Sequence, residues 1–321
     1  MLLKEAVTKA SPSELTILAP AKINLILRIL DRRPDGYHNL WSLMHTVALE
    51  DEVHIRLRPD QDGIRLRCDS AQLEADHTNL VHRAASAVLE RAQRPVGIEI
   101  DLRKRIPMGA GLGGGSSDAA ATIVGLNQLF RLNWSNAQMA DVGQSLGSDV
   151  PFFLYAPAAM VSGRGESVRQ RRIEGSRWAV LVNPGFGVET KWAYQELAST
   201  RKGTIRSLSP LHHDLAQQQH VTWAQLIEAA ENDFESPVFA VHGVLQEIKQ
   251  GLRDQGADIA LLSGSGATVF GLFAEEAQAR QAGSHFSAEK GFMIFTVPTC
   301  SGPLAFRHLE RDQGSYPLTT Y

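Results

Sequence analysis

The sequence predicts an α+β fold in two domains, and three observations predict it. Segments with strand-like alternation and segments with helical spacing are mixed along the chain without a regular β-α rhythm. The chain has 321 residues, 43% of them hydrophobic, which is enough for one large or two medium cores. A shift in composition near Ser162 to Gly165 divides it into 1–163 and 164–321.

The elements follow in order. Leu15 to Ala19 is a short apolar run, and Ile23, Leu25, Leu27 and Ile29 alternate as a strand would. Arg32-Arg33-Pro34-Asp35-Gly36 reads as a turn. Val53, Ile55 and Leu57, then Ile64, Leu66 and Cys68, alternate with polar residues, as half-buried antiparallel strands do. Leu80, Ala84 and Val88 share one helical face over 78–93, and a further alternating strand covers 96–102. Ser135 and Gln138 form a capping box, with Gly147 placed to end that helix. In the second half, strands are predicted at 160–162, 178–182 and 292–297, and helices at 222–232 and 238–255. The polar, histidine-rich stretch 199–220 reads as a loop excursion and 301–321 as an irregular tail.

The chemistry concentrates in Pro107-Met108-Gly109-Ala110-Gly111-Leu112-Gly113-Gly114-Gly115-Ser116-Ser117. Glycine reaches positive φ freely and adds no Cβ, so such a chain can wrap its N–H groups around an anion. A helix follows, with Ala119, Ile123, Leu126 and Phe130 at helical spacing, Ser116 or Ser117 suited to the N-cap and Asp118 to the first turn. Its N-terminus adds unpaired N–H groups and the positive end of its dipole. The run therefore reads as a phosphate cradle. It contains G-x-G-x-x-G at Gly109, Gly111 and Gly114, but the strand before it is amphipathic and no acidic residue lies near 134, so a dinucleotide site is disfavoured. No Gly-Lys pair occurs, which excludes a P-loop.

The formal charge of −3 does not favour nucleic acid or an acidic membrane as partner. The basic clusters Arg103-Lys104-Arg105 and Arg169 to Arg172 read as solvated surface. Two cysteines exclude a disulfide framework, though a single bridge stays open, and a reducing cytoplasmic setting is expected. Met1 to Ser13 lacks an apolar stretch of signal-peptide length, and no run of membrane-spanning length occurs.

Other candidates are ambiguous taken singly. Ser263-Gly264-Ser265-Gly266-Ala267 joins two apolar runs and is either a plain hairpin turn or a turn that also offers donors to a phosphate. Asp149 is either a turn aspartate or a partly buried carboxylate beside the chemistry. Lys22 is either an exposed edge lysine or a functional one. Tyr37-His38 is a solvated loop pair or a platform for a flat base.

Together, P-A-K-I-N-L at 20–25, D-G-Y-H at 35–38, the glycine run at 107–121, G-S-D-V-P-F-F at 147–153, N-D-F-E at 232–235 and S-G-S-G-A-T-V-F at 263–270 resemble the GHMP kinase superfamily. The first two motifs are similar to the branch acting on a cytidyl diphosphate alcohol. The resemblance implies a two-domain kinase with its active site in the cleft between an N-terminal ATP-binding and a C-terminal substrate-binding domain. It implies transfer from MgATP to the 2-hydroxyl of a cytidine-diphospho-methylerythritol, a step toward isoprenoid precursors outside the mevalonate route. By the same resemblance Asp149 is the general base and Lys22 its partner, and residues 107–117 hold the ATP phosphates. Tyr37 and His38 hold cytosine, completed by Tyr194 or alternatively Phe186. Asn24 lies near the alcohol hydroxyls, and Gly264, Ser265 and Thr268 line the phosphate end. Ser116 or Ser117 is the hydroxyl that could touch magnesium; no motif carboxylate is assigned to it. Lys22 and Asp149 together argue against a non-catalytic nucleotide-binding regulator.

Overall fold

The structure is a computed structural model that describes residues 13–33, 36, 38–201, 207–286 and 291–307. Two long strands, β1 (Glu14–Arg32) and β2 (His38–Arg58), pair antiparallel. The apolar run at 15–19 and the alternating segment after it are one strand. Its register shifts between Pro20 and Ala21, a place where a residue without an N–H is tolerated. β3 (Ile64–Cys68), α1 (Leu80–Ala92) and β4 (Gly97–Arg103) follow. β4 is antiparallel to β2 but parallel to β3, because α1 carries the chain back before β4 begins. The expected antiparallel pairing therefore fails at β3. The expected wet face of β4 is also covered at Glu99, whose carboxylate lies under Arg56, Arg58 and Arg67.

α2 (Gly114–Leu129), α3 (Asn136–Gln144) and α4 (Val150–Leu154) join α1 in a core against this sheet. The capping box opens α3 as the spacing predicts, but α3 ends at Gln144, before Gly147. β5 (Ala158–Gly163) pairs with β2, and β6 (Ser167–Gln170) pairs with β5. Position 163/164 thus falls in the turn of a hairpin that belongs wholly to the first sheet.

The second half runs β7 (Arg172–Ile173), β8 (Trp178–Asn183), α5 (Thr190–Arg201), α6 (Pro210–Gln217), β9 (His220–Val221) and α7 (Trp223–Ala229). Then come β10 (Glu231–Asn232), α8 (Glu235–Val241), α9 (Gly243–Asp254), β11 (Ile259–Leu262), β12 (Val269–Phe273), α10 (Glu276–His285), β13 (Met293–Pro298) and β14 (Phe306–Arg307). An antiparallel sheet in the order β11-β12-β8-β13 is its centre. β10 and β14 leave that sheet and pair with β1, tying the halves together.

Several expectations change. The helix predicted to 232 stops at Ala229, since Glu231 and Asn232 pair with β1. The helix predicted over 238–255 breaks at His242, where ψ is 71°. The predicted loop at 199–220 contains α6, capped by Ser209 with Pro210 in its first turn, where its missing N–H costs nothing. The predicted tail contains β14. Both cysteines are free, and no helix among the described residues is long and apolar enough to cross a membrane.

Candidate active site

Lys22 and Asn24 lie two apart on β1 and so face the same way. The Lys22 ammonium donates to Asn24 Oδ1 at 2.7 Å and stands 3.8 Å from Asp149 Oδ2. Lys22 is therefore not an edge lysine: its side chain is 5% exposed, while that of Asp149, just before α4, is 32% exposed. Burial lowers the Lys22 pKa, and the Asp149 charge works against that shift. Asn24 also donates to Ser42 Oγ at 2.9 Å and accepts from the Gly264 N–H at 2.9 Å.

The glycine loop packs against this pair. Gly109, Gly111 and Gly113 have φ of 61°, 77° and 71°, the region that favours glycine. Its carbonyls turn into the protein. Ala110 O accepts from Thr268 N at 3.2 Å, Gly111 O from Ser263 Oγ at 2.9 Å and Leu112 O from Lys22 N at 2.9 Å. Among the described residues, no hydrogen bond is donated by the N–H groups of Gly109 to Gly113. The loop is thus fastened by its acceptors, while its own N–H groups have no partner within the described residues. Gly113, not Ser116 or Ser117, is the N-cap of α2, because its left-handed φ turns the chain into the helix one residue earlier. Ser116 lines the cavity, whereas Ser117 and Asp118 are buried beneath it.

A cavity of about 1140 Å³ joins these groups. It runs from Lys22, Asn24, Asp149, Gly264 and Ser265 along Pro107 to Gly111 and Gly113 to Ser116, and reaches His38 and Tyr194. The His38 and Tyr194 rings stack with centroids 4.9 Å apart and planes 18° from parallel, and Phe234 meets Tyr194 edge-on. Burial, aided by the nearby Asp149 charge, pushes the Tyr194 hydroxyl up to about 12. The alternative aromatic, Phe186, packs on His242 and does not line the cavity. Leu112 and Thr268 do not line it either. Leu112 is a core residue, and the fully buried Thr268 hydroxyl accepts from Asn183 Nδ2 at 3.0 Å. Tyr37 lies outside the described residues.

Lys104 is a further residue of the site. Arg103-Lys104-Arg105 is not uniformly solvated: the Arg103 and Arg105 side chains are exposed, but Lys104 is buried, lines the cavity and bridges Asp51 and Asp118. Burial pushes the Asp118 carboxyl up to about 8, with Lys104 pulling it down and Asp51 raising it further. Arg171, in the other basic cluster, is also buried, and its guanidinium donates to the Ala216 carbonyl. Asn232, quoted only as part of a motif, holds the second turn by donating to Leu262 O at 2.7 Å and Gly264 O at 2.8 Å.

The profile described as "GHMP kinases N terminal domain" matches residues 79–157, and "GHMP kinases C terminal" matches 211–291. A 4-diphosphocytidyl-2-C-methyl-D-erythritol kinase of Syntrophus aciditrophicus (strain SB) is 41% identical over 283 residues, 88% of this chain and 98% of that protein. The chain belongs to the GHMP kinases. Another relative of this kinase, from Heliobacterium modesticaldum (strain ATCC 51547 / Ice1), bears the same name and is 39% identical, covering 92% of this chain and 96% of its own. A crystal structure of 4-(cytidine 5'-diphospho)-2C-methyl-D-erythritol kinase superposes with a TM-score of 0.72 at 32% identity, covering 89% of this kinase and all (100%) of that chain. Homoserine kinase from Cytophaga hutchinsonii ATCC 33406 gives 0.71 at 20% identity, over 94% and 100% of the two chains, which shows the shared fold.

Proposed function

We propose that this GHMP kinase transfers the γ-phosphoryl group of ATP to the 2-hydroxyl of 4-diphosphocytidyl-2-C-methyl-D-erythritol. The observation that carries the reading is the Lys22–Asp149 pair, 3.8 Å apart in a cavity whose wall includes the glycine loop. A tertiary alcohol is a weak nucleophile. Asp149, open to the cavity, accepts its proton as the new P–O bond forms and the bond to the β,γ-bridging oxygen of ATP breaks. Lys22 stands beside that carboxylate and offers its ammonium to the charge on the transferring group. Asn24, fixed by Lys22, Ser42 and the Gly264 N–H, positions the hydroxyl. Positioning and charge stabilisation supply most of the catalysis in such transfers.

The Lys104 ammonium is taken up by Asp51 and Asp118, which leaves the phosphate charge to the loop N–H groups, to Lys22 and Lys191 on the cavity wall, and to magnesium. Among the described residues no group of three or more His, Cys, Asp or Glu side chains would hold a metal. Ser116, which lines the cavity, is the hydroxyl that would meet magnesium, which would supply charge neutralisation there.

His38 and Tyr194 form the cytosine site. Their 4.9 Å spacing leaves room for no third ring, and a base between them needs about 7 Å, two van der Waals contacts of about 3.5 Å each, so the rings part to admit it. Close relatives named for this substrate support the choice of acceptor. The test of the base is Asp149→Asn. It should retain ATP and acceptor binding and lose roughly 100- to 10,000-fold in kcat. Turnover near wild type would remove Asp149 from that role.

A further inference from the structure

Asp51 stands at the end of the β2 segment that pairs with β4, is 0% exposed, and does not line the cavity. Its Oδ1 accepts from the backbone N–H groups of Arg105 at 2.5 Å and Ile106 at 2.9 Å, the two residues that lead into the glycine loop. Its Oδ2 accepts from Lys104 Nζ at 2.5 Å. The same ammonium donates to Asp118 Oδ2 at 2.6 Å, in the first turns of the helix that leaves the loop. Lys104 Nζ also lies 3.3 Å from where a Cβ on Gly114 would stand, directly beneath the start of α2.

A buried cation at the N-terminus of a helix is unfavourable by itself, since the dipole there is positive. The two acidic side chains that accept from the ammonium, Asp51 and Asp118, offset that cost. A fold that needed only packing at this point would be served as well by apolar side chains. What the trio adds is geometry: one carboxylate holds the entrance of the loop through two N–H groups and, through Lys104, its exit.

We infer that Asp51 is a positioning residue for the nucleotide, clamping both ends of the 107–113 loop so that its N–H groups stay aimed at the phosphates. This rests on the reading of that loop as the phosphate cradle. Asp51→Asn keeps an acceptor for Arg105 and Ile106 but turns an amide N–H₂ toward the Lys104 ammonium, so it breaks the link to the exit selectively. The loss of one hydrogen bond to a charged group predicts a roughly 10- to 100-fold rise in KM for ATP. The KM for the acceptor and kcat at saturating ATP should stay within about twofold, because Asp149, Lys22 and Tyr194 do not touch Asp51.

The experiment measures both KM values in wild type and Asp51→Asn. Amide hydrogen exchange over 107–113 and over β4 is followed in the same samples. The inference predicts faster exchange in the loop, unchanged exchange in β4 and a KM effect confined to ATP. Equal worsening of both KM values with faster exchange in β4 would reduce Asp51 to a packing role and overturn it. Unchanged ATP KM and loop exchange would overturn it too. If wild type bound no ATP, the cradle reading itself would fall, while loop exchange would still judge the clamp. If Asp51→Asn did not fold, Asp118→Ala, which removes the exit end of the link at a residue that does not line the cavity, would take its place with the same outcomes.

Discussion

Gly111 is the tightest point between the glycine loop and the 263–267 turn, and Gly111→Ala measures how tightly the two are joined. Its φ is +77°, which costs a residue with a Cβ about 1–2 kcal/mol. The added Cβ would stand 2.0 Å from Ser263 O and 3.0 Å from Gly266 O, both backbone atoms that cannot swing away. Overpacking of that kind costs about 1–3 kcal/mol. Parting the turns would also weaken the 2.9 Å bond from Ser263 Oγ to Gly111 O, worth about 1 kcal/mol. The sum is about 3–6 kcal/mol. Gly109→Ala is the control: its φ is +61°, but its Cβ would meet nothing nearer than 3.9 Å. It should cost only the conformational term of about 1–2 kcal/mol. Urea denaturation of both variants, with ATP affinity measured alongside, reads the difference. Gly111→Ala should be the less stable by about 2 kcal/mol or more and the weaker for ATP. Equal stability and equal ATP affinity in the two variants would refute the close contact between the turns.

Two further predictions concern the surroundings of the site. Burial pushes the His45 imidazole from 6.5 down to about 4, the bond to Thr46 O acting the other way. The unfolded chain therefore takes up this proton at higher pH than the folded one. The contribution of His45 is fully present above about pH 6.5 and is lost as pH falls toward 4, by up to about 3 kcal/mol. Urea midpoints from pH 7.5 to 5 should fall less steeply in His45→Gln than in wild type, and parallel slopes would show that His45 is not held neutral. Tyr194→Ala should raise KM for the cytidyl acceptor roughly 10- to 100-fold, the worth of one base stack, with KM for ATP unchanged. Phe186→Ala should change neither, and the opposite ranking would move the cytosine site to Phe186.

The parts of the site that could be read in the sequence are those fixed by local backbone demands. Positive φ at Gly109, Gly111 and Gly113 favours glycine, so the turns of this loop are legible in the sequence. The hairpin of β11 and β12 follows from two apolar runs around a glycine turn, and they pair as expected. Lys22, Asp149 and Tyr194 could be named through motif resemblance, but nothing local distinguishes a buried lysine from an edge one. That distinction depends on Asp149, 127 positions away, and on a carbonyl of the glycine loop. The same holds for Lys104: its neighbours in sequence are solvated arginines, and its partners come from β2 and α2. β10 was absorbed into a predicted helix because two residues carry no periodicity of their own; their conformation is set by β1.

The central claim is the reaction itself, and phosphorus NMR tests it most directly. The purified chain is incubated with MgATP and 4-diphosphocytidyl-2-C-methyl-D-erythritol. The account predicts a new phosphomonoester signal and matching ADP, both dependent on the cytidyl group and both lost in Asp149→Asn. No product from this acceptor, in protein that binds ATP and phosphorylates another small alcohol such as homoserine, would contradict it.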